Sequence, residues 1–369
     1  MPAPVGLELA LTRRRRQLRL LAPAALLLVV ILLVALIVGA ASGPGTSPPA
    51  GGGVAARQEG AARTTSGGHQ ASGASRTVAP RLRARRTGML SAPIEDAATA
   101  TFGQGRVVLL GGLDAEDTST AAITELAADA QGTTATDTGA RLPEAQHDAQ
   151  AANLGGDVYV FGGGQVESYD HILRFDPASG RVSVVGHLPQ PASDVAVAAI
   201  GPTAYIVGGY NGREALDTIL AWRSGASPAV VGRLPRGLRY AAVAASSSQL
   251  IIAGGSTASG GASRAILRFE PSSGEVKEIG RLPTPLTHAS AVYLDQRVFV
   301  IGGRGASPES QTAAIRSIDP ADGHVQDAGA LPLPLSDASV AAVGGQIVLA
   351  GGRSPVGTQV SIFELTPGP

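Results

Sequence analysis

An all-β fold of six radially repeated, four-stranded units, a six-bladed β-propeller, is predicted by three recurring features. The first is a glycine doublet closing a short apolar run: Gly111-Gly112, Gly162-Gly163, Gly208-Gly209, Gly254-Gly255, Gly302-Gly303 and Gly351-Gly352, spaced 46 to 51 residues apart. The second is a Leu-Pro pair ahead of each later doublet, beginning at Leu142, Leu188, Leu234, Leu282 and Leu331. The third is a turn written apolar-acid-Pro, as in Phe175-Asp176-Pro177, Phe269-Glu270-Pro271 and Ile318-Asp319-Pro320. Self-similarity at such a period marks a repeat architecture, and four short antiparallel strands per repeat mark a propeller.

The chain opens with no repeat. Residues 1–19 carry Arg13, Arg14, Arg15, Arg16 and Arg19, and an uncharged apolar stretch follows over 20–41. At about 1.5 Å per helical residue this stretch is long enough to cross a bilayer core of about 30 Å. The first basic residue beyond it is Arg57, so the charge bias predicts a cytoplasmic N-terminus and export of the rest. A cleaved signal peptide, with Val38-Gly39-Ala40 as its cleavage site, is the rival reading and would give a secreted protein. Residues 42–83 are rich in Gly, Ser, Ala, Pro and Thr. Such a segment buries too little apolar surface to offset chain entropy, which predicts a flexible linker.

Formal net charge is zero overall, yet residues 1–86 hold 12 Arg against Glu8 and Glu59, while residues 87–369 hold 17 basic and 27 acidic groups. An acidic folded part argues against nucleic-acid binding, which requires a basic face. The chain has no cysteine, which removes disulfides, thiolate metal sites and cysteine nucleophiles.

From residue 84 to 369 each repeat reads as four strands. An inner strand opens on a small residue (Ala149, Ala241, Ala289 and Ala338, with Val195 the bulkier exception). An unbroken apolar strand then ends in Gly-Gly, a third strand ends in the acid-Pro turn, and a fourth ends in Leu-Pro. After Gly351-Gly352 only 17 residues remain, enough for a third strand and not a fourth. Residues 84–91 match the ends of the fourth strands, so they are expected to complete the sixth blade and close the ring.

With these features in place, the chain resembles the kelch-repeat proteins, within the propeller superfamily that includes galactose oxidase and N-acetylneuraminate epimerase. The tryptophan usual in the fourth strand of a kelch blade is absent: Val182, Val276 and Val325 stand near that place, and Trp222 lies in a third strand. The resemblance implies two kinds of function. One is a non-catalytic interaction module, displayed outside the membrane to a protein or carbohydrate ligand. The other is a carbohydrate-active enzyme, such as a sugar mutarotase or epimerase. Galactose-oxidase chemistry needs a cysteine crosslinked to tyrosine and is excluded here.

Registering the repeats on the doublets exposes one position 14 residues before the first glycine, or 15 in the first repeat: Asp96, Asp148, Asp194, Tyr240, His288 and Asp337. In a propeller this position circles the central channel, so these six side chains, with the preceding His147 and Arg239, form the candidate ligand site. Clustered carboxylates should raise one another's pKa unless a cation or donors hold them charged. No metal or other cofactor is required by the sequence, though a hard cation such as calcium suits such oxygens. Asp148 with His147, or Asp337 with His288, would supply acid and base groups to the enzyme reading. A plainer role is also open to the same residues, namely turn capping at the channel mouth.

Overall fold

The structure, a computed structural model, describes residues 80–129 and 131–368. Those residues form six four-stranded antiparallel sheets in a closed sequence. Blade two shows the pattern: His147–Leu154, Asp157–Gly164, His171–Asp176 and Arg181–His187 pair in order from the axis outward. Burial follows the same order. The second strands are apolar and buried almost throughout, as in Thr203–Val207 and Leu250–Ala253, whereas outer strands such as Arg181–His187 alternate or face water. This is why second strands read as unbroken apolar runs: both faces meet a neighbouring blade.

The sixth blade is built from both ends of the described chain. Its strands are Ser339–Val343, Gln346–Ala350, Ser361–Pro367 and, outermost, Leu82–Met89. The closing strand pairs antiparallel from Leu82↔Pro367 to Met89↔Ser361. It therefore begins two residues before the expected 84. Leu82, a lone large apolar side chain among arginines, is the reason: it is 3% exposed and sits in the core between blades five and six. Burying such a side chain is worth about 1.5–3 kcal/mol. The expected membrane span at 20–41 and nearly all of the expected linker at 42–83 lie outside the described residues. Among the described residues no helix is long and apolar enough to cross a membrane.

The core is six separate clusters, each bridging two neighbouring blades. Their anchors are the residues in register at the end of each third strand: Leu126, Phe175, Trp222, Phe269, Ile318 and Leu365. Trp222 reaches back to blade two, edge-on to Tyr159 and Phe161 with ring centroids 4.9 and 5.4 Å away. The one tryptophan of the chain thus fills an interface between blades from a third strand.

The glycine doublets hold adjacent blades together by their backbone. In all six, the second glycine donates its N–H to a carbonyl of the next blade at 2.8–2.9 Å: Gly112 to Gln146, Gly163 to Ala192, Gly209 to Leu238, Gly255 to Leu286, Gly303 to Leu335 and Gly352 to Ile94. That same carbonyl lies 2.1–2.5 Å from where a Cβ on the first glycine would stand. Both glycines adopt positive φ, from 62° to 110°. No side chain fits between the strand end and the neighbouring backbone.

Two substitutions separate this steric demand from the cost of positive φ alone. Gly302 has φ 63° and its Cβ would fall 2.3 Å from the Leu335 carbonyl, whereas Gly344 has φ 56° with no neighbour within 4 Å. Gly344→Ala should cost about 1–2 kcal/mol in urea unfolding. Gly302→Ala should cost more than about 4 kcal/mol or prevent folding. Equal losses at the two sites would contradict the close-approach account.

Candidate functional site

All six ring residues line one narrow cavity on the axis. Each has positive φ: 53° at Asp96, 57° at Asp148, 58° at Asp194, 50° at Tyr240, 55° at His288 and 58° at Asp337. The left-handed turn aims five of the six backbone N–H groups sideways at the preceding blade. Asp194 donates to the Asp148 carbonyl (2.8 Å), Tyr240 to Asp194 (3.0 Å), His288 to Tyr240 (3.2 Å), Asp337 to His288 (3.0 Å) and Asp96 to Asp337 (3.0 Å). Aspartate is among the few non-glycine residues that accept this conformation readily. The run of acids around the axis thus has a backbone cause, and the plainer reading of these residues has a specific form.

The side chains then settle into pairs. Asp96 and Asp337 adjoin across blades six and one. Burial, and then the charge of Asp337, push the Asp96 carboxyl well above the usual range. Asp337 is pushed up to about 6 by burial, against the pull of the Ser336 hydroxyl, which donates to it at 2.6 Å, and of Arg304. Asp148 is likewise pushed well up by burial and then by Asp194, although the Tyr240 hydroxyl donates to its Oδ2 at 3.1 Å. Its other oxygen, Oδ1, is buried without a hydrogen-bond partner. Arg239 donates to Asp194 through Nε, and its guanidinium lies 4.2 Å over the Tyr210 ring. Both routes expected for clustered acids are used: some share protons, and one keeps a cation.

The two expected acid–base pairings fare differently. His147 does reach Asp148, with Nε2 3.4 Å from Oδ2, while its Nδ1 meets the Ser119 hydroxyl at 2.9 Å. Burial holds His147 below its ordinary pKa. His288 is taken elsewhere. Arg304 Nη2 donates to its Nε2 at 3.0 Å, its Nδ1 is 3.0 Å from the Thr287 hydroxyl, and its ring stacks on Tyr240 with centroids 3.7 Å apart. Burial, then Arg304 and Arg239, drive its pKa down to about 2. His288 is a neutral acceptor and forms no pair with Asp337.

The ring is a constriction that floors the loop face and opens below into axial spaces of about 120 and 290 Å³. The cavity it encloses measures about 60 Å³, room for a few waters. Above it, on the face carrying the post-doublet loops, lie two larger cavities. One, of about 500 Å³, is lined by His147, Asp148, Ser168, Ser193, Tyr210 and Arg213 among others. The second, of about 540 Å³, includes Tyr210, Arg213, Arg239, Tyr240, His288 and Arg304. Of the predicted residues, His147, Asp148, Arg239, Tyr240 and His288 therefore face a ligand-sized space, whereas Asp96, Asp194 and Asp337 face only the floor.

Sequence reasoning left the residues directly after the doublets outside the candidate site. These positions form antiparallel bridges to the residues preceding the ring: Leu113 to Glu95, Tyr210 to Ser193, Arg304 to Thr287 and Arg353 to Ser336. Arg239 is consequently not the sole arginine near the axis, because Arg304 and Arg353 join it. Arg353 binds Glu95 (2.7 Å) and Asp117 (2.9 Å). Glu95, 4% exposed, is pushed up to about 7 by burial against the opposing pull of Arg353. Among the described residues no group of three or more His, Asp or Glu side chains is placed to hold a metal ion.

The fold and the mouth of the channel define a six-bladed β-propeller. A solved structure of the protein YjhT is similar to this chain, with a TM-score of 0.66 and 15% identity, covering 76% of this chain and 96% of that one. The likeness concerns the fold. No protein-family model matches the chain, and no curated protein matches it.

The raised carboxyls make stability depend on pH with a definite sign. Folded Asp337 and Glu95 hold protons to about 6 and about 7, against 3.8 and 4.5 for the free groups. Their contribution is complete below the free values and is lost as pH rises through the folded ones. Between about pH 4 and pH 7 these two groups lower the melting temperature as pH rises, against a rise from His288, whose pKa is depressed to about 2. Asp337→Asn, which tolerates the same backbone conformation, should remove the share of Asp337, so the variant gains in melting temperature relative to the natural chain as pH rises from about 4 to about 6. A slope unchanged by the substitution would show that Asp337 is not a source of it.

Proposed function

We propose that this chain is a non-catalytic binding module: a kelch-type propeller held outside the cell membrane, with its loop face turned to a protein or glycan ligand. In this reading residues 1–19 are cytoplasmic, a helix over 20–41 anchors the chain, and the segment from 42 to the closing strand at Leu82 is its tether. The acidic composition of residues 87–369 speaks against a nucleic-acid partner.

The observation that carries the reading is the pair of cavities, about 500 and 540 Å³, that share Tyr210 and Arg213 above the ring. Concave spaces of this size suit a sugar unit or a few peptide side chains. The histidine beneath them is already engaged. His288, with a pKa near 2 and both ring nitrogens bonded, has no proton to give or take near neutral pH. General acid–base catalysis needs a group poised close to the working pH.

One observation favours the second reading, a carbohydrate-active enzyme such as a mutarotase: Asp337 and Glu95 retain protons to about 6 and about 7. A single set of measurements separates the two. The full-length chain is screened against immobilised glycans and peptides, and mutarotation of simple sugars and sugar acids is followed by NMR. Binding that Tyr210→Ala weakens roughly tenfold, with no acceleration of any sugar, is the expected result. Turnover abolished by Asp337→Asn would establish the enzyme instead.

A further inference from the structure

Arg304 differs from the other two arginines at the mouth. Arg239 is held by Asp194, and Arg353 by Glu95 and Asp117. Arg304 is half-buried and, among the described residues, forms no ion pair with a carboxylate. Its protein contacts are the neutral His288 Nε2 at 3.0 Å and the Gly305 carbonyl at 3.5 Å. A guanidinium carries five N–H donors in a fixed fork, so most of its capacity faces the cavity of about 540 Å³ that it lines.

The surroundings extend that capacity. The hydroxyls of Ser256 and Thr287, 2.8 Å from each other, border the same cavity, and one proton of the pair is left over from their mutual bond. Arg213 lines it from the neighbouring loop, with Glu214 beside it as the one carboxylate in the lining. Arginine with a serine or threonine hydroxyl is a donor set that matches an oxyanion. The N–H groups of the fork not taken by His288 and Gly305, with that hydroxyl proton, suit a tetrahedral group with three free oxygens.

We propose that the Arg304 corner is an oxyanion subsite for a phosphate or sulfate group carried by the ligand. The proposal rests on the binding-module reading and gives its ligand a chemistry. Arg304 supplies the forked contact, the Ser256–Thr287 pair one hydroxyl donor, and Arg213 a second positive charge on the cavity wall. His288, already accepting from Arg304, fixes the fork in place and adds no charge.

The test is calorimetry on the full-length chain with four probes: inorganic phosphate, glucose 6-phosphate, glucose and glucuronate. Phosphate and glucose 6-phosphate are expected to bind, more weakly as sodium chloride is raised. Arg304→Gln should lose at least about tenfold for both, the scale of one charge-assisted hydrogen bond, with its melting temperature unchanged. Tighter binding of glucose 6-phosphate than of inorganic phosphate would place the group on a sugar, whereas equal binding would mark a site for the free ion. No heat with either phosphate probe, equal affinity in Arg304→Gln, or preference for glucuronate would each overturn the proposal. Glucose binding without phosphate binding would remove the subsite and leave the binding module standing.

Discussion

One contact recurs at every joint of the ring: the N–H of a doublet's second glycine, donated to a carbonyl of the next blade. It is made where an apolar strand stops being paired within its own sheet, so its donor would otherwise be buried and unmet. The contact works only if the first glycine brings nothing between the two backbones, which is the demand its positive φ and the 2.1–2.5 Å virtual Cβ distances express. Hydrophobic burial between blades supplies most of the free energy, because that term scales with area. Burial is not directional, however. The backbone joint sets how far each wedge turns from the last, and so fixes the number that complete a circle.

The same logic continues a few ångströms closer to the axis. A second band of backbone hydrogen bonds links ring residue to ring residue, and it requires a left-handed turn at each. Aspartate fills four of the six places for that conformational reason, with an electrostatic consequence: carboxyls are gathered where water is scarce. The structure meets the conflict by raising the pKa of several carboxyls through burial, by giving Asp194 an arginine, and by narrowing the channel at the ring. A constriction of this kind is a by-product of how the ring is tied. The larger cavities above it are lined by Asp148, Tyr240 and His288 of the ring together with Arg239, Thr287 and Arg304.

Much of this was legible in the residues. The doublets, the Leu-Pro endings and the acid-Pro turns gave the strand order and the blade number, and the shortfall after Gly352 gave the closure. The ring itself was legible because equivalent positions in a repeat lie on one circle. Its conformation was not read, although four aspartates at one register position are a signal for positive φ. Arg304 and Arg353 escaped because they follow the doublets in sequence, away from the register position on which the ring is read. Only the bridges to Thr287 and Ser336 turn them inward. That His288 would lean on Tyr240 and Arg304 rather than on Asp337 depends on rotamers, which no spacing encodes.

The seam of the circle sets an order of events for the newborn chain. Its outermost strand, Leu82–Met89, is made well before its partner, Ser361–Pro367, and must wait for it. Contacts across the seam bridge long stretches of chain, 279 positions at Arg85 and Glu364. Loops of that length close slowly. Five wedges can assemble while the sixth is still incomplete, and until then Leu82 and the facing cores of blades five and one stand bare to solvent. A chain passed unfolded through a membrane would carry that vulnerability to the far side, and it would end only when the two termini meet.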